Sequence, residues 1–367
     1  MLEYQTYIDY LKNAPLLIKI AWGTSCLLMS FIVFLTIYLK SVRTYLRIKE
    51  LEDLEFRKKY EASLIEYLYS GDDSGHINSI QESIIDKIKV SVNNKSKRKI
   101  IINVLYNLMN EVSGEMSDSI KTLYYKTGLI NYALKRLESK QWHIIAKGIG
   151  ELTRFKIEEV HDDISKFIKH PRKEVRKETQ LYLVSLYKFE GLSFLNNMLT
   201  PLSEWAQIQL LEILQHFDDQ QICDIKPWLK SSNDSVVLFS LKLAQIYNQF
   251  EAKDTLIELL SHTTKQIRIS AIETLTHLYG IEAKEMLKAN FNELSLEEQI
   301  SFFGMLEKLV VPSDEPFIEK YLFHKNFEIQ LLALKILKSI NLDKYMGLSK
   351  MPIDEKDSSM LKLVDSL

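Results

Sequence analysis

The residues that could do chemistry in this chain are few and scattered. His161, Asp162 and Asp163 place two carboxylates beside a histidine. A metal-dependent hydrolase would need further His and Asp ligands at helical spacing, and none converge on this triplet in sequence. Aspartates at the beginning of a helix more simply cap its free N–H groups. His143, His170, His216, His262, His277 and His324 are spread along the chain and read as residues of breaks or of the surface. The sequence has no HExxH, no Gly-rich phosphate loop and no GxSxG. Its two cysteines, Cys26 and Cys223, lie far apart and fit neither a disulfide framework nor a zinc site. That usage agrees with a reducing compartment. No catalytic residue, metal site or cofactor is expected, and the chain reads as a non-enzyme.

One concentration of charge stands out. Lys166, Lys169, Arg172, Lys173, Arg176 and Lys177 put six fixed positive charges in twelve residues, with His170 among them and Glu174 as the single acid. Arg172, Lys173, Arg176 and Lys177 are the candidate partner-binding residues. Projecting together, they would attract an acidic segment or lipid headgroups. The alternative is a solvated connection leading into a helix. Lys95, Lys97, Arg98 and Lys99 form a weaker cluster of the same kind. Over the whole chain 47 basic residues face 49 acidic ones, so no global field favours nucleic acid.

The elements that must position these charges begin with a membrane signal. Residues 20–39 run without a charge, and 20 residues of helix span about 30 Å, the hydrocarbon thickness of a bilayer. A cleaved secretory signal would start with net positive charge and end in small residues. Here Glu3, Asp9, Lys12 and Lys19 balance, and Ile37-Tyr38-Leu39-Lys40 offers no cleavage site. Lys12 and Lys19 precede the span, whereas Lys40, Arg43, Arg47, Lys49, Arg57, Lys58 and Lys59 follow it. That bias places the N-terminus outside and the C-terminal part in the cytoplasm, a single-pass protein of the inner membrane. Trp22 and Tyr38 suit the interfacial belts. Ala21/Ser25 and Cys26/Ser30 would permit close helix packing and a homo-oligomer, although such pairs are common in spans.

Eleven glycines and seven prolines in 367 residues are under half the usual share of each, which predicts long helices with short polar connections. Residues 1–40 hold the N-terminal segment and the span, and 41–70 continue as a juxtamembrane helix. Residues 71–129, entered through the break Gly71-Asp72-Asp73-Ser74-Gly75, read as capping helices. From about 130 to 345 the chain repeats itself. Val175, Val236, Ile267 and Ile329 occupy matching places after polar breaks, at gaps of 61, 31 and 62 that fit a unit of about 31 residues. Residues 346–367, with Gly347, Pro352 and a charged run, read as a mostly flexible tail, in which the apolar residues from Met360 to Val364 could form a short helix on a partner.

The pattern resembles the HEAT family of helical repeats. A polar break followed by Val-Arg, with a small residue three further on, stands as Val175-Arg176 with Thr179 and as Ile267-Arg268 with Ala271, while Ala333 matches the small position after Ile329. Ile329 is followed by Gln330, and the unit around Trp205 lacks the arginine. With the uncharged run 20–39 read as one N-terminal transmembrane helix, the resemblance implies an all-α chain that continues as a right-handed α-solenoid of about six or seven helical hairpins. It also implies that Arg176 and Arg268 belong to a ladder between adjacent repeats. The expected function is a membrane-anchored adaptor at the cytoplasmic face that holds a protein partner. By layout analogy alone the partner is a membrane glycosyltransferase of a surface-polysaccharide assembly, and the Lys/Ile/Asn-rich composition points to a bacterium. The competing readings are a HEAT-like enzyme or ligand-binding protein, and a structural, self-associating membrane protein.

Overall fold

The computed structural model describes residues 15–70, 77–217, 223–348 and 355–366; the break expected at 71–75 lies outside them. The described residues are helical, with no strand among them. The chain divides into two units, Met1–Glu138 and Ser139–Leu367.

In the first unit α1 (Leu16–Tyr69) is one continuous helix of 54 residues. The expected span and the expected juxtamembrane helix are therefore a single element, about 80 Å long at the α-helical rise. Its apolar part is exposed throughout, and it is the one helix among the described residues long and apolar enough to cross a membrane. Thr24 and Thr36 donate their hydroxyls to the carbonyls of Ala21 and Ile32, which satisfies both within the helix itself. Only the far end of α1 joins a protein core, through Tyr60, Leu64 and Tyr67. It packs there on α2 (Ser79–Val92) and α3 (Lys95–Glu111), whose Ile84, Ile88, Ile101 and Leu105 recur at helical spacing. Asn78 begins α2 with a capping box closed by Gln81, whose Nε2 also donates to the Tyr67 carbonyl at 3.0 Å. Helices α4 (Glu115–Lys126) and α5 (Leu129–Leu137) complete the unit.

The second unit is organised by α6 (Trp142–Arg154), α7 (Lys173–Tyr187), α8 (Glu204–Gln215), α9 (Asp234–Ile246), α10 (Lys265–His277), α11 (Leu296–Leu309) and α12 (Phe327–Ile340), which start 30 or 31 residues apart. The stretch before each is shorter than a full helix. Residues Lys253–Glu258 and Glu315–Glu319, for example, make little more than one turn, extended by 3-10 turns. Where the sequence pattern suggests hairpins of two comparable helices, the structure has one long helix and one abbreviated one, because a period near 31 leaves no room for two full helices and two connections.

Hydrogen bonds fix the relative direction of the long helices. At their starts Thr264 Oγ1 donates to Asp234 Oδ2 at 2.6 Å, and Lys265 pairs with Glu297 at 3.0 Å. At their ends Gln245 Nε2 donates to Thr274 Oγ1 at 2.8 Å, and Asn248 Oδ1 meets His277 Nε2 at 3.1 Å. Starts therefore face starts and ends face ends, so α9, α10 and α11 run parallel. Each buries an apolar face that one helix could not bury alone, with Val236, Leu243, Ile267, Leu275, Phe302 and Leu306 inside.

The end of α10 also holds a backbone anomaly. The Gly280 N–H donates to the Leu275 carbonyl at 2.8 Å, the closing bond of a Schellman turn. The left-handed residue of that turn is Tyr279, at φ 54°. Gly280, which follows it, leaves no room for a side chain, since a Cβ would lie 2.7 Å from Leu275 Cδ2. A non-glycine residue in this conformation costs about 1–2 kcal/mol, partly offset by the entropy a glycine loses on folding. Tyr279→Gly is expected to stabilise the chain by about 0.5–1 kcal/mol, raising Tm by about 2 °C in a circular-dichroism melt. A lower Tm would mean that the phenol ring contributes packing that its 66% exposure does not suggest.

The tail departs from the sequence reading. Residues Glu355–Ser366 form α13, and Met360, Leu361 and Val364 are buried against the end of the second unit. Lys338 Nζ donates to the Val364 carbonyl at 2.8 Å, and the Tyr345 hydroxyl donates to Asp365 at 3.0 Å. Burial, then the Asp365 carboxylate, pushes that phenol up to about 12. The apolar spacing read as a short helix for a partner instead packs against α12 within this chain.

Candidate functional site

The cluster 166–177 sits at the break leading into α7, and its charges have separate fates. Lys166 pairs with Asp163 at 2.7 Å. Arg176 turns back to donate from Nη1 to the carbonyls of His170 and Pro171 at 2.9 and 3.0 Å. Arg268 does the same three repeats later, donating to the carbonyls of His262 and Thr263 at 2.8 and 3.1 Å. The two arginines thus close equivalent breaks, and Arg176 leaves the list of free cations.

The histidines are part of the same construction. The Nδ1 atoms of His170, His262 and His324 accept the backbone N–H of Arg172, Thr264 and Asn326 at 3.1, 3.1 and 3.2 Å. Ser139 and Ser231 take the N–H of Gln141 and Asn233 in the matching places at 3.1 and 3.2 Å. A ring nitrogen that faces a backbone N–H is an acceptor, so each imidazole carries its proton on Nε2. No group of three or more metal-ligating side chains occurs among the described residues. His161 lies edge-on to the Tyr187 ring and meets Ser165 Oγ at 3.3 Å, so the acidic triplet folds into local contacts. The Cys223 thiol is half-buried, and burial pushes its pKa up, away from the reactive thiolate.

The difference between repeats lies in the acids. Arg268 forms a bidentate pair with Glu298, whose second contact is Nη2 to Oε2 at 3.2 Å, and Lys265 pairs with Glu297. Glu298 is buried; burial alone would raise its pKa, but hydrogen bonds from Arg268 and Ser295 outweigh that and hold the carboxyl below the usual range. Between α7 and α8 the places of Glu297 and Glu298 are taken by Trp205 and Ala206. Arg172 and Lys173 are exposed and Lys177 is half-buried; none of the three side chains has a hydrogen-bond or ion-pair partner among the described residues. They also stand at the positive end of the α7 dipole, where a cation is disfavoured. Beside them α8 presents Trp205, 63% exposed, and Ile208. Composition made the cations legible; the tryptophan emerges only when α8 is set in register with α11.

The weaker cluster at 95–99 is largely used within the first unit. Lys97 stands 4.4 Å from the Phe56 ring centroid, and Arg98 lies 3.8 Å over Tyr132 while donating to the Val92 carbonyl at 2.9 Å. A groove of about 750 Å³ runs between α1 and α3, lined by Arg47, Leu51, Leu54, Arg57, Lys99 and Ile100 among others.

No protein-family model and no curated protein matches the chain. Among solved structures it is similar to an engineered protein at 13% identity, covering 84% of this chain and 88% of that one with a TM-score of 0.31. It is also similar to the complex of CpcE and CpcF of phycocyanin lyase from a Nostoc species, at 12% identity, 77% and 94% coverage and a TM-score of 0.23. Human deoxyhypusine hydroxylase in complex with glycerol matches at 11% identity, 80% and 99% coverage and a TM-score of 0.29. These superpositions are too loose to carry an argument about this chain, and the stacking of its helices rests on its own hydrogen bonds.

Proposed function

We propose that the chain is a membrane-anchored scaffold whose HEAT-like second unit holds an acidic protein segment at the cytoplasmic face. The observation that carries this reading is the α7–α8 edge. Lys173 lacks the acid that neutralises its equivalent, Lys265, between α10 and α11, the side chains of Arg172 and Lys177 have no ion-pair partner among the described residues, and Trp205 stands exposed on α8. Charge left unpaired at the positive end of a helix costs stability, and an acidic partner would recover it. The exposed apolar length of α1 supports the anchor, and the excess of Lys and Arg after it supports a cytoplasmic second unit. Anchoring raises the effective concentration of the scaffold for partners in the same membrane.

The test is affinity recovery from native membranes after mild crosslinking, comparing the wild-type chain with Arg172→Glu/Lys173→Glu/Lys177→Glu. Each rim charge reversal is worth on the order of 1 kcal/mol, so recovery of the dominant partner should fall about tenfold or more. Undiminished recovery by the triple variant would remove this edge from the binding reaction.

A further inference from the structure

The packed core of the first unit turns a basic end toward the apolar stretch of α1. Helix α2 runs back along α1. Near its start the Gln81 amide donates to the Tyr67 carbonyl at 3.0 Å, and near its end Ser91 Oγ accepts the Tyr60 hydroxyl. The turn at Asn93 and Asn94 follows, and α3 begins beside earlier residues of α1. Lys97 stands 4.4 Å from the Phe56 ring centroid, and Asn94, Ser96 and Lys97 face Tyr45 and Ile48 across a shallow hollow. The α2–α3 turn is therefore the end of this core nearest the stretch 20–39.

Neither stability nor membrane topology accounts for the cations at that turn. Lys95, Lys97, Arg98 and Lys99 crowd the start of α3, whose first turn holds no acid. The start of a helix is its positive pole, where each of them is disfavoured. Lys97 and Arg98 find an aromatic ring apiece. Lys95 and Lys99 are exposed, and their side chains have no hydrogen-bond or ion-pair partner among the described residues. Charges within about 15–20 residues of a span set its orientation, and these two lysines lie far beyond that flank.

The face of α1 that leads to them has the same sign. Lys40, Arg43 and Arg47 follow one another at spacings of three and four, on one face of the helix. All three are exposed, with side chains unpaired among the described residues. That face runs into the groove between α1 and α3, where Arg47, Lys49, Arg57 and Lys99 outnumber Glu50 and Asp53. Tyr45 lies about 9 Å along the helix beyond Leu39, and the headgroup layer occupies about 5–7 Å of that distance. A tilt of about 20° toward the groove, usual for a span, brings the turn within about a Debye length of the headgroups. For unpaired cations on a helix continuous with a span, an anionic lipid surface is the nearest counter-charge.

We propose that the α2–α3 turn and the basic face of α1 dock on an anionic phospholipid surface, with headgroup phosphates meeting Lys95 and Lys99 as well as Arg43 and Arg47. The contact sets the tilt of α1 and holds the first unit against the bilayer. The inference rests on the anchor proposed above and is independent of the α7–α8 edge.

The experiment reconstitutes the full-length chain, carrying the photocrosslinker p-benzoylphenylalanine at Ser96, into vesicles of phosphatidylcholine alone or mixed with phosphatidylglycerol. Flotation reports anchoring, and mass spectrometry identifies the adducts. The chain should float with both vesicles, and phosphatidylglycerol adducts should exceed that lipid's share of the mixture. In Lys95→Glu/Lys99→Glu their yield should fall at least about fivefold. Flotation of that variant should be unchanged, and its Tm should not fall, because two cations leave the positive pole of α3. Floating chains whose phosphatidylglycerol adducts are absent, no richer than the mixture or indifferent to the charge reversal, or whose adducts are confined to a second copy of the chain, would overturn the docking and leave the anchor standing. A chain that does not float would overturn both.

Discussion

Asp314→Ala should destabilise the second unit by about 3–5 kcal/mol, the usual cost of leaving one member of a buried ion pair unpaired. Lys284 is 2% exposed, and its ammonium donates to Asp314 Oδ2 and to the Leu309 carbonyl, both at 2.8 Å. Lys288 reaches the other carboxylate oxygen, and the Val311 N–H donates to Oδ2 at 2.9 Å. Removing the carboxylate strands one ammonium in the core and weakens the join between two successive repeats. At about 2–4 °C per kcal/mol for a unit of this size, Tm should fall by about 10 °C. Lys284→Met/Asp314→Leu should recover most of that loss, because two apolar groups leave no charge unpaired. A single variant that melts with the wild type would show that the pair adds nothing to the join.

The same carboxylate gives the stability a pH dependence of defined sign. Burial alone would raise the Asp314 pKa, but hydrogen bonds from Lys284, Lys288 and the Val311 N–H prevail and hold it below the ordinary aspartate value. A depressed folded-state pKa contributes stability that is fully present above the unfolded-state pKa and is lost as pH falls through the folded-state value. Equilibrium denaturation in urea from neutral pH downward should show this contribution persisting to the bottom of the carboxylate range. In the Lys284→Met/Asp314→Leu variant that acid-dependent part should be absent.

The second large effect concerns the anchor. Leu28→Arg/Ile32→Arg places two charges near the middle of the stretch 20–39. Each arginine at a span centre costs about 2.5–3.5 kcal/mol of insertion free energy. The wild type should stay with membranes through carbonate extraction, and the double variant should pass to the soluble fraction. Because the second unit shares no residue of the span, its melting should be unchanged. Recovery of the wild type in the soluble fraction, or an N-terminus mapped downstream of residue 39, would replace the anchor by a soluble or processed helix.

Much of the architecture is written in local pattern. The uncharged run 20–39, the scarcity of glycine and proline, and the recurrence of Val175, Val236, Ile267 and Ile329 all follow from single-residue chemistry and spacing, which act along the chain. The break residues were legible as breaks, since polar residues interrupting an apolar period end a helix wherever they occur. The candidate site was half legible. Four cations could be counted, but whether each is engaged depends on how its own break folds and on residues about 30 positions away. Arg176 is engaged by carbonyls of its own break, while Lys265 and Arg268 meet Glu297 and Glu298 across a helix interface. The order of the tail is not legible locally, because the charged residues from Asp354 to Asp357 obscure the apolar face of α13, and only a neighbouring surface gives that face a reason to order.

The sequence by itself determined an all-helical chain with an apolar N-terminal helix long enough to cross a membrane and a unit of about 31 residues, because helix period, hydrophobic run length and helix breaks are properties of contiguous residues. Only the tertiary structure decided which charges are free and which histidines merely close a break. Those features depend on the register between parallel helices, and register is set by how side chains from separate repeats pack, which no single stretch of sequence contains.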